Sequence, residues 1–241
     1  MTDHATLVAC LGASITAAKG SFDWIGELER RPRNSAVRFR NFGIGGDLAY
    51  NALQRLPEVM ACHPNTVIVL VGDNDVIALV SRRFRRVARA WKHLPRTPSP
   101  EWFRENIQCL TRRLRAGSSV RVALCSLVPI GEDPDSPNPL QREFNLRIAD
   151  YSGIIKQVAM EEGVGYVPAY ERMDEQIRAL PGAAFTAFRF LPFYRDAFRH
   201  LVLRVSLDQI AQRNGWRFHT DGIHQQPRRD DPGRSRAGIH R

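Results

Sequence analysis

Short apolar stretches alternate with longer helical patterns along this chain, and this alternation constrains the fold more than any other feature. Residues 5–11 (ATLVACL), 66–71 (TVIVLV) and 120–128 (VRVALCSLV) are nearly continuous apolar runs. Such runs are typical of strands that are buried on both faces of a parallel sheet. Residues 37–42 alternate in polarity, which favours a strand nearer the edge, and residues 164–167 supply a short fifth strand. We therefore predict an α/β fold, a three-layer α/β/α sandwich with a mostly parallel sheet of about five strands.

Helical patterns fill the intervals between the predicted strands, at residues 23–31, 48–60, 101–116 and 140–162. A chain of 241 residues fits one domain, which we place at residues 1–226. Two stretches break the alternation and are predicted to be insertions, a basic one at about residues 81–100 and a Phe-rich one at about residues 181–205. Residues 227–241 are rich in Pro, Gly and Arg and can bury little apolar area, which predicts a disordered basic tail.

The composition excludes some classes of protein. No apolar run approaches the roughly 18 residues that span a bilayer, so a membrane-spanning protein is excluded. The short polar N-terminus leads directly into the first apolar run, which predicts a cytoplasmic location. The cysteines are far apart and lack the spacing of metal ligands, so we predict buried free thiols and neither metal nor cofactor. They are Cys10, Cys62, Cys109 and Cys125.

The net charge of +10 is confined to two segments. The segment that begins at Arg82 and ends at Arg96 has seven basic residues and no acid, and residues 227–241 carry the remaining excess. Nearly all the basic residues are Arg, which a GC-rich coding bias explains as readily as a binding function. The charge alone therefore does not indicate a nucleic-acid partner, although a nucleic-acid binder that uses the first segment stays an alternative class.

Polar clusters follow the predicted strands, and ligands of open α/β sheets bind outside the carboxyl ends of the strands. Residues 12–16 (GASIT) follow the first strand, residues 41–47 (NFGIGGD) the second and residues 72–75 (GDND) the third. Each has an ordinary interpretation by itself, since Ser14 is a plausible helix cap and Asn74 can close a turn. The glycines of the second cluster lack the spacing of a dinucleotide-binding loop. Near the C-terminus, residues 221–224 (DGIH) place an acid three positions before a histidine.

Taken together and in this order, the four clusters resemble the sequence blocks of the GDSL/SGNH hydrolases. Ser14 matches the serine of the first block, Gly46 the glycine of the second, Asn74 the asparagine of the third, and Asp221 with His224 the last. The resemblance extends from about residue 7 to residue 224. It implies a flavodoxin-like fold and a serine esterase or lipase, that is, a carboxylic ester hydrolase.

The resemblance also implies the role of each residue. Ser14 would be the nucleophile, His224 the base that takes its proton, and Asp221 the group that orients the imidazole. The backbone N–H groups of Ser14 and Gly46 and the side-chain amide of Asn74 would form the oxyanion hole.

The choice of the base and the match to the family pattern both leave alternatives open. His219 is the alternative candidate for the base. Two features depart from the family pattern. Ala13 stands where the family usually has Asp, and the segment after His224 lacks the usual closing helix. A catalytically weakened carbohydrate- or lipid-binding protein on the same scaffold is therefore an alternative.

The two insertions bear on the substrate. The basic segment has apolar residues at helical spacing, namely Phe84, Val87, Ala88, Trp91 and Leu94. Either this amphipathic helix packs one face on the core, or it forms a lid that contacts anionic lipid. The Phe-rich stretch is either an acyl pocket or a packed subdomain. Both favour a small-molecule acyl ester over a sugar acetate, with a thioester also possible, and the oligomeric state is left open.

Overall fold

The computed structural model describes residues 6–18, 22–116 and 118–182. Its sheet has five strands in the order β2-β1-β3-β4-β5, and every neighbouring pair is parallel. The strands are β1 Thr6–Gly12, β2 Val37–Gly43, β3 Thr66–Leu70, β4 Arg121–Cys125 and β5 Gly165–Val167. The predicted five-stranded α/β fold is confirmed, with β2 at an edge as its alternating sequence predicts.

The helices connect these strands in sequence. They are α1 Ser14–Ala17, α2 Trp24–Arg30, α3 Ala49–Gln54, α4 Leu56–Met60, α5 Asp73–Val80, α6 Arg82–Trp91, α7 Pro100–Arg115, α8 Pro139–Glu161 and α9 Ala169–Ala179. The prediction of one helix over residues 48–60 is wrong, because α3 ends and α4 begins around Arg55. Pro57 explains the break, since it has no N–H to donate to the preceding turn and its ring crowds that turn.

Alternate side chains of β1 point into two different clusters, which defines three layers. Ala9 and Leu11 belong to the large core that the sheet forms with α3, α7 and α8. Val8 and Cys10 face the other way and pack with Ile25 of α2. The sheet is therefore covered by helices on both faces, as its continuous apolar runs predict.

The helix α5 begins at Asp73, inside the polar cluster of residues 72–75, whose sequence by itself suggests a turn and not a helix. Gly72 precedes the helix with a φ of 139° and lies where a Cβ would be 2.9 Å from Leu127 and 3.0 Å from Phe103. Asp73 lies in the first turn of α5, where a negative side chain favours a helix. The polar cluster after β3 is therefore the beginning of a helix.

The basic insertion contains α6, which packs on a small satellite core. Ala88 and Leu94 are buried there against Leu48, Ala78 and Trp102, with Phe84 packed on them. The other two members of the predicted apolar face, Val87 and Trp91, are 56% and 65% exposed. The helix is confirmed, but only part of its apolar face is covered by the core.

The predictions for the cysteines, for a membrane span and for the C-terminal segments have separate outcomes. Cys10 and Cys125 are buried free thiols as predicted, whereas Cys62 and Cys109 are only partly buried. No helix of the described ranges is long and apolar enough to cross a membrane. The predicted Phe-rich insertion beyond residue 182 and the predicted tail at residues 227–241 lie outside the described residues.

Candidate active site

The ends of β1, β2 and β3 lie level, and this alignment brings three predicted site residues to one edge of the sheet. Gly12, the last residue of β1, is paired with Gly43 on one side and Leu70 on the other. Ser14 follows β1 by two residues, and Gly46 and Asn74 follow the neighbouring strands by three and four residues. The three loops therefore begin side by side.

Ser14 is the first residue of α1 and does not cap it. Ala13 occupies the cap position, and no side-chain hydrogen bond caps the helix. The interpretation of Ser14 as a simple helix cap is therefore wrong, because its hydroxyl does not accept from the first turn. The residue is half-buried, between fully buried Ala13 and Ile15.

The loop after β2 is bonded to the segment that carries Ser14. The Ile44 N–H donates to the Gly12 carbonyl oxygen over 3.1 Å. The Asn41 amide donates to the Thr16 carbonyl oxygen over 2.7 Å and accepts from the Gly43 N–H over 2.8 Å. The position of the second loop is thus fixed relative to α1.

Gly46 has a backbone conformation and a location that require glycine. Its φ is +78°, and a Cβ would lie 2.9 Å from Trp91 Cζ3 and 3.1 Å from Lys92 Cε. Within the described ranges the Gly46 N–H donates no hydrogen bond. This N–H group is therefore available to an incoming acceptor.

Asn74 connects the third loop to the second. Its buried side-chain Nδ2 donates to the Asp47 carbonyl oxygen over 2.9 Å. A primary amide has two N–H donors, so one more is available on the same nitrogen. The next residue, Asp75, is buried and accepts from the Ala49 N–H over 3.0 Å. Burial raises the pKa of the Asp75 carboxyl to about 8, with the Ala49 hydrogen bond opposing that shift.

A buried charged cluster of Asp47, Arg55 and Lys92 lies beside the glycine loop. Asp47 pairs through Oδ2 with Arg55 over 2.9 Å and through Oδ1 with Lys92 Nζ over 2.8 Å. The exposed fractions of these side chains are 5%, 15% and 10%, respectively. A buried carboxylate with two cationic partners is well compensated.

The same cations also bind backbone carbonyl oxygens at the strand ends. Arg55 donates to the carbonyls of Phe42 and Gly12 over 3.0 and 3.3 Å. Lys92 Nζ donates to the Gly45 carbonyl over 2.8 Å. The cluster therefore joins the ends of β1 and β2 to the loop that carries Gly46.

Sequence reasoning missed Asp47, Asp75, Arg55 and Lys92 as parts of this site. A faint signal existed for Lys92, which is one of only three lysines in a chain that otherwise uses Arg. Nothing local distinguished Arg55 from the many other arginines. Asp221, His224 and the alternative base His219 lie outside the described residues. Within those residues no group of three or more His, Cys, Asp and Glu is arranged to hold a metal ion.

Residues 10–188 match the GDSL-like Lipase/Acylhydrolase family. The chain belongs to this family. Membership confirms the enzyme class inferred from the sequence blocks, a carboxylic ester hydrolase. A comparison with curated protein sequences gives no significant match.

Several solved structures share the fold at low sequence identity. A putative GDSL-like lipase from Parabacteroides merdae is 14% identical over 95% of this chain and 90% of its own, with a TM-score of 0.59. An acetylxylan esterase from Geobacillus stearothermophilus is 18% identical over 73% of this chain and 81% of its own, with a TM-score of 0.56. The acetyl xylan esterase AlAXEase is 20% identical over 81% of this chain and 99% of its own, also with a TM-score of 0.56. Two further similar structures are catalytic mutants of the Geobacillus enzyme, one with serine and one with aspartate replaced by alanine.

Proposed function

We propose that the protein hydrolyses carboxylic esters through an acyl-enzyme on Ser14. The Ser14 oxygen forms a bond to the ester carbonyl carbon while its proton passes to the imidazole of His224. The proton then goes to the leaving alcohol as the carbon–oxygen bond breaks. Water repeats the sequence on the acyl-enzyme, releases the acid and restores the Ser14 hydroxyl. Asp221 holds the imidazole in the tautomer that accepts the proton.

The negative oxygen formed in each addition step needs donors that are already oriented. The proposed donors are the N–H groups of Ser14 and Gly46 and the second N–H of the Asn74 amide. The observation that carries the proposal is the level alignment of the three strand ends, with the loops joined by the Asn74 to Asp47 hydrogen bond of 2.9 Å. Preorganised donors of this kind are worth roughly 10²- to 10³-fold each in turnover.

Labelling with a fluorophosphonate probe tests the nucleophile. The probe is expected to label the wild-type protein, and Ser14→Ala is expected to abolish labelling. Ser35→Ala, at an exposed serine that precedes the amino end of β2, should leave labelling unchanged. His224→Ala should remove hydrolysis and His219→Ala should retain it. Labelling that persists in folded Ser14→Ala would exclude this mechanism.

A second candidate function is binding without efficient catalysis on the same scaffold. The observations that favour it are Ala13 in place of the family's usual Asp and the unusual sequence after His224. A correctly folded wild-type protein that neither reacts with the probe nor hydrolyses p-nitrophenyl acetate would support this alternative. Thermal unfolding with a cooperative transition supplies the check on folding.

The substrate class is best resolved by a series of model esters. We propose that the substrate is a small-molecule acyl ester, because the exposed ring of Trp91 offers a large apolar surface next to Gly46. Acetylated xylan is the alternative, suggested by the activity of the acetylxylan esterases that share the fold. Hydrolysis of p-nitrophenyl butyrate and octanoate supports the first, and hydrolysis of the acetate alone supports the second.

The helix α6 is proposed to contact anionic lipid. Arg82, Arg83, Arg86 and Arg89 are exposed on it, together with Val87 and Trp91. Apolar side chains flanked by arginines suit the interface of an anionic membrane. Replacing Arg83 and Arg86 by Gln should weaken sedimentation with phosphatidylglycerol-containing vesicles, and replacing the exposed Arg112 and Arg113 of α7 should not. Equal binding to vesicles of phosphatidylcholine alone would contradict the proposal.

A further inference from the structure

Lys92 binds the peptide group that carries the Gly46 N–H. Its Nζ donates to the Gly45 carbonyl oxygen over 2.8 Å and to Asp47 Oδ1 over 2.8 Å. The Gly45 carbonyl and the Gly46 N–H are the two ends of one peptide group. The side chain of Lys92 is 10% exposed, so this contact is formed largely out of water.

That peptide group has little else to fix its orientation. Both residues are glycines, Gly46 has a φ of +78°, and a Cβ at Gly45 would meet nothing within 4 Å. Glycine pairs rotate their shared peptide plane at low cost because no side chain restricts φ and ψ. A cation at the carbonyl end can hold the plane in one orientation.

The hydrogen bond also acts on the far end of the peptide. In a trans peptide the C=O and N–H point in opposite directions, and the described residues contain no cis peptide bond. A charge-assisted bond to the carbonyl is stronger than a neutral one and polarises the hydrogen-bonded chain to which it belongs. Lys92 therefore strengthens the Gly46 N–H as a donor without facing the substrate itself.

We propose that Lys92 is a positioning residue for the oxyanion hole. It orients and polarises the Gly45–Gly46 peptide so that the Gly46 N–H points at the substrate oxygen. This inference depends on the proposed esterase mechanism, because it assigns a purpose to Lys92 only if Gly46 is an oxyanion donor.

The surroundings of Lys92 fit this role. The Asn51 amide donates to the Lys92 carbonyl oxygen over 2.9 Å, which holds the end of α6 in place. The positive charge is matched by Asp47, which also pairs with Arg55 over 2.9 Å. Loss of the lysine charge therefore still leaves Asp47 with an ionic partner, so Lys92→Met is expected to fold.

The test compares Lys92→Met with Lys156→Met, which removes an exposed lysine charge from α8. Rates on p-nitrophenyl acetate are divided by the fraction of protein that a fluorophosphonate labels. For Lys92→Met we expect kcat to fall about 10- to 100-fold, a part of the roughly 10²- to 10³-fold cost of losing a donor, with KM nearly unchanged. Inhibition by an aryl trifluoromethyl ketone, which forms an oxyanion on Ser14, should weaken by a similar factor. Lys92→Arg should recover much of the loss, and Lys156→Met should match the wild type.

The outcomes separate the two proposals. If Ser14→Ala is inactive but Lys92→Met keeps its kcat within about twofold, the role of Lys92 is refuted and the esterase mechanism stands. If Lys92→Met loses labelled protein but not kcat per labelled site, the lysine is merely structural and the inference is also refuted. Failure of the esterase mechanism is recognised earlier, because the wild type then shows no labelling at Ser14.

Discussion

The side-chain Nδ2 of Asn74 lies 2.9 Å from the carbonyl oxygen of Asp47, so the helix that follows β3 is hydrogen-bonded to the loop that follows β2. This bond uses one of the two donors of the amide and fixes the direction of the other. The residue that would stabilise the oxyanion is therefore oriented by the same loop that carries Gly46.

Replacing Asn74 by Asp keeps the shape of the side chain but removes both N–H donors. We expect kcat to fall by about 10²-fold or more, because an ionised carboxylate cannot donate to an oxyanion and repels it. Steady-state rates on p-nitrophenyl acetate measure this effect. Asn145→Asp is the control, since the Asn145 amide bonds Ile130 over 2.8 and 2.9 Å and should affect stability alone. Similar kcat losses in the two variants would contradict the assignment.

Replacing Gly46 by Ala should reduce both stability and activity. The positive φ costs a residue with a Cβ about 1 kcal/mol, and the new methyl group would collide with Trp91. Gly163→Ala is matched for the first effect, because Gly163 has a φ of +62° and nothing within 4 Å of its Cβ position. Urea unfolding and kcat should both separate the variants, with only Gly46→Ala losing activity. Recovery of stability in Gly46→Ala with Trp91→Ala would identify the collision as the cause.

Asp47→Asn should be strongly destabilising, because it leaves Arg55 and Lys92 buried without a counter-ion. Breaking a buried ion pair from one side costs about 3 to 5 kcal/mol in the free energy of unfolding. Glu105→Gln breaks the Arg96–Glu105 pair, whose side chains are 61% and 56% exposed. Such a surface pair contributes about 1 kcal/mol or less. Chemical denaturation of both variants measures the contrast, and equal losses would show that the Asp47 cluster is not effectively buried.

The carboxyl of Asp75 should make the protein less stable as the pH rises. Burial raises its pKa from 3.8 to about 8 in the folded protein. Between these values the folded state holds a proton that the unfolded state has released, so the free energy of unfolding decreases from pH 4 toward pH 8 and then levels. Asp75→Asn is neutral at every pH and keeps an oxygen for the Ala49 N–H, so it should flatten this part of the curve.

Unfolding midpoints at pH 5 and pH 9 measure the effect of Asp75. The exposed Asp150→Asn variant serves as a control for the loss of one surface carboxylate. The explanation fails if the wild type and Asp75→Asn lose the same stability between the two pH values.

Local patterns in the sequence were sufficient to predict the strands, and they supplied three of the candidate site residues. Apolar runs such as residues 66–71 predict buried parallel strands because a strand covered on both faces needs apolar side chains on both. Ser14, Gly46 and Asn74 could be recognised because they stand in short blocks at strand ends. The helix α5 was missed, because the polar residues 72–75 resemble a loop until the following residues are seen packed in the core.

Only the tertiary structure determines which charged side chains are buried and paired at the candidate site. Arg55 and Lys92 are separated by 37 positions; Arg55 is an isolated arginine in its segment, and Lys92 lies in the basic segment of residues 82–96. Folding places both on Asp47 and directs Lys92 to the Gly45 carbonyl, which no local pattern encodes. The physical reason is that the carboxyl ends of neighbouring parallel strands lie side by side and bring distant loops together. The contribution of a charged side chain then depends on which groups those loops bury beside it.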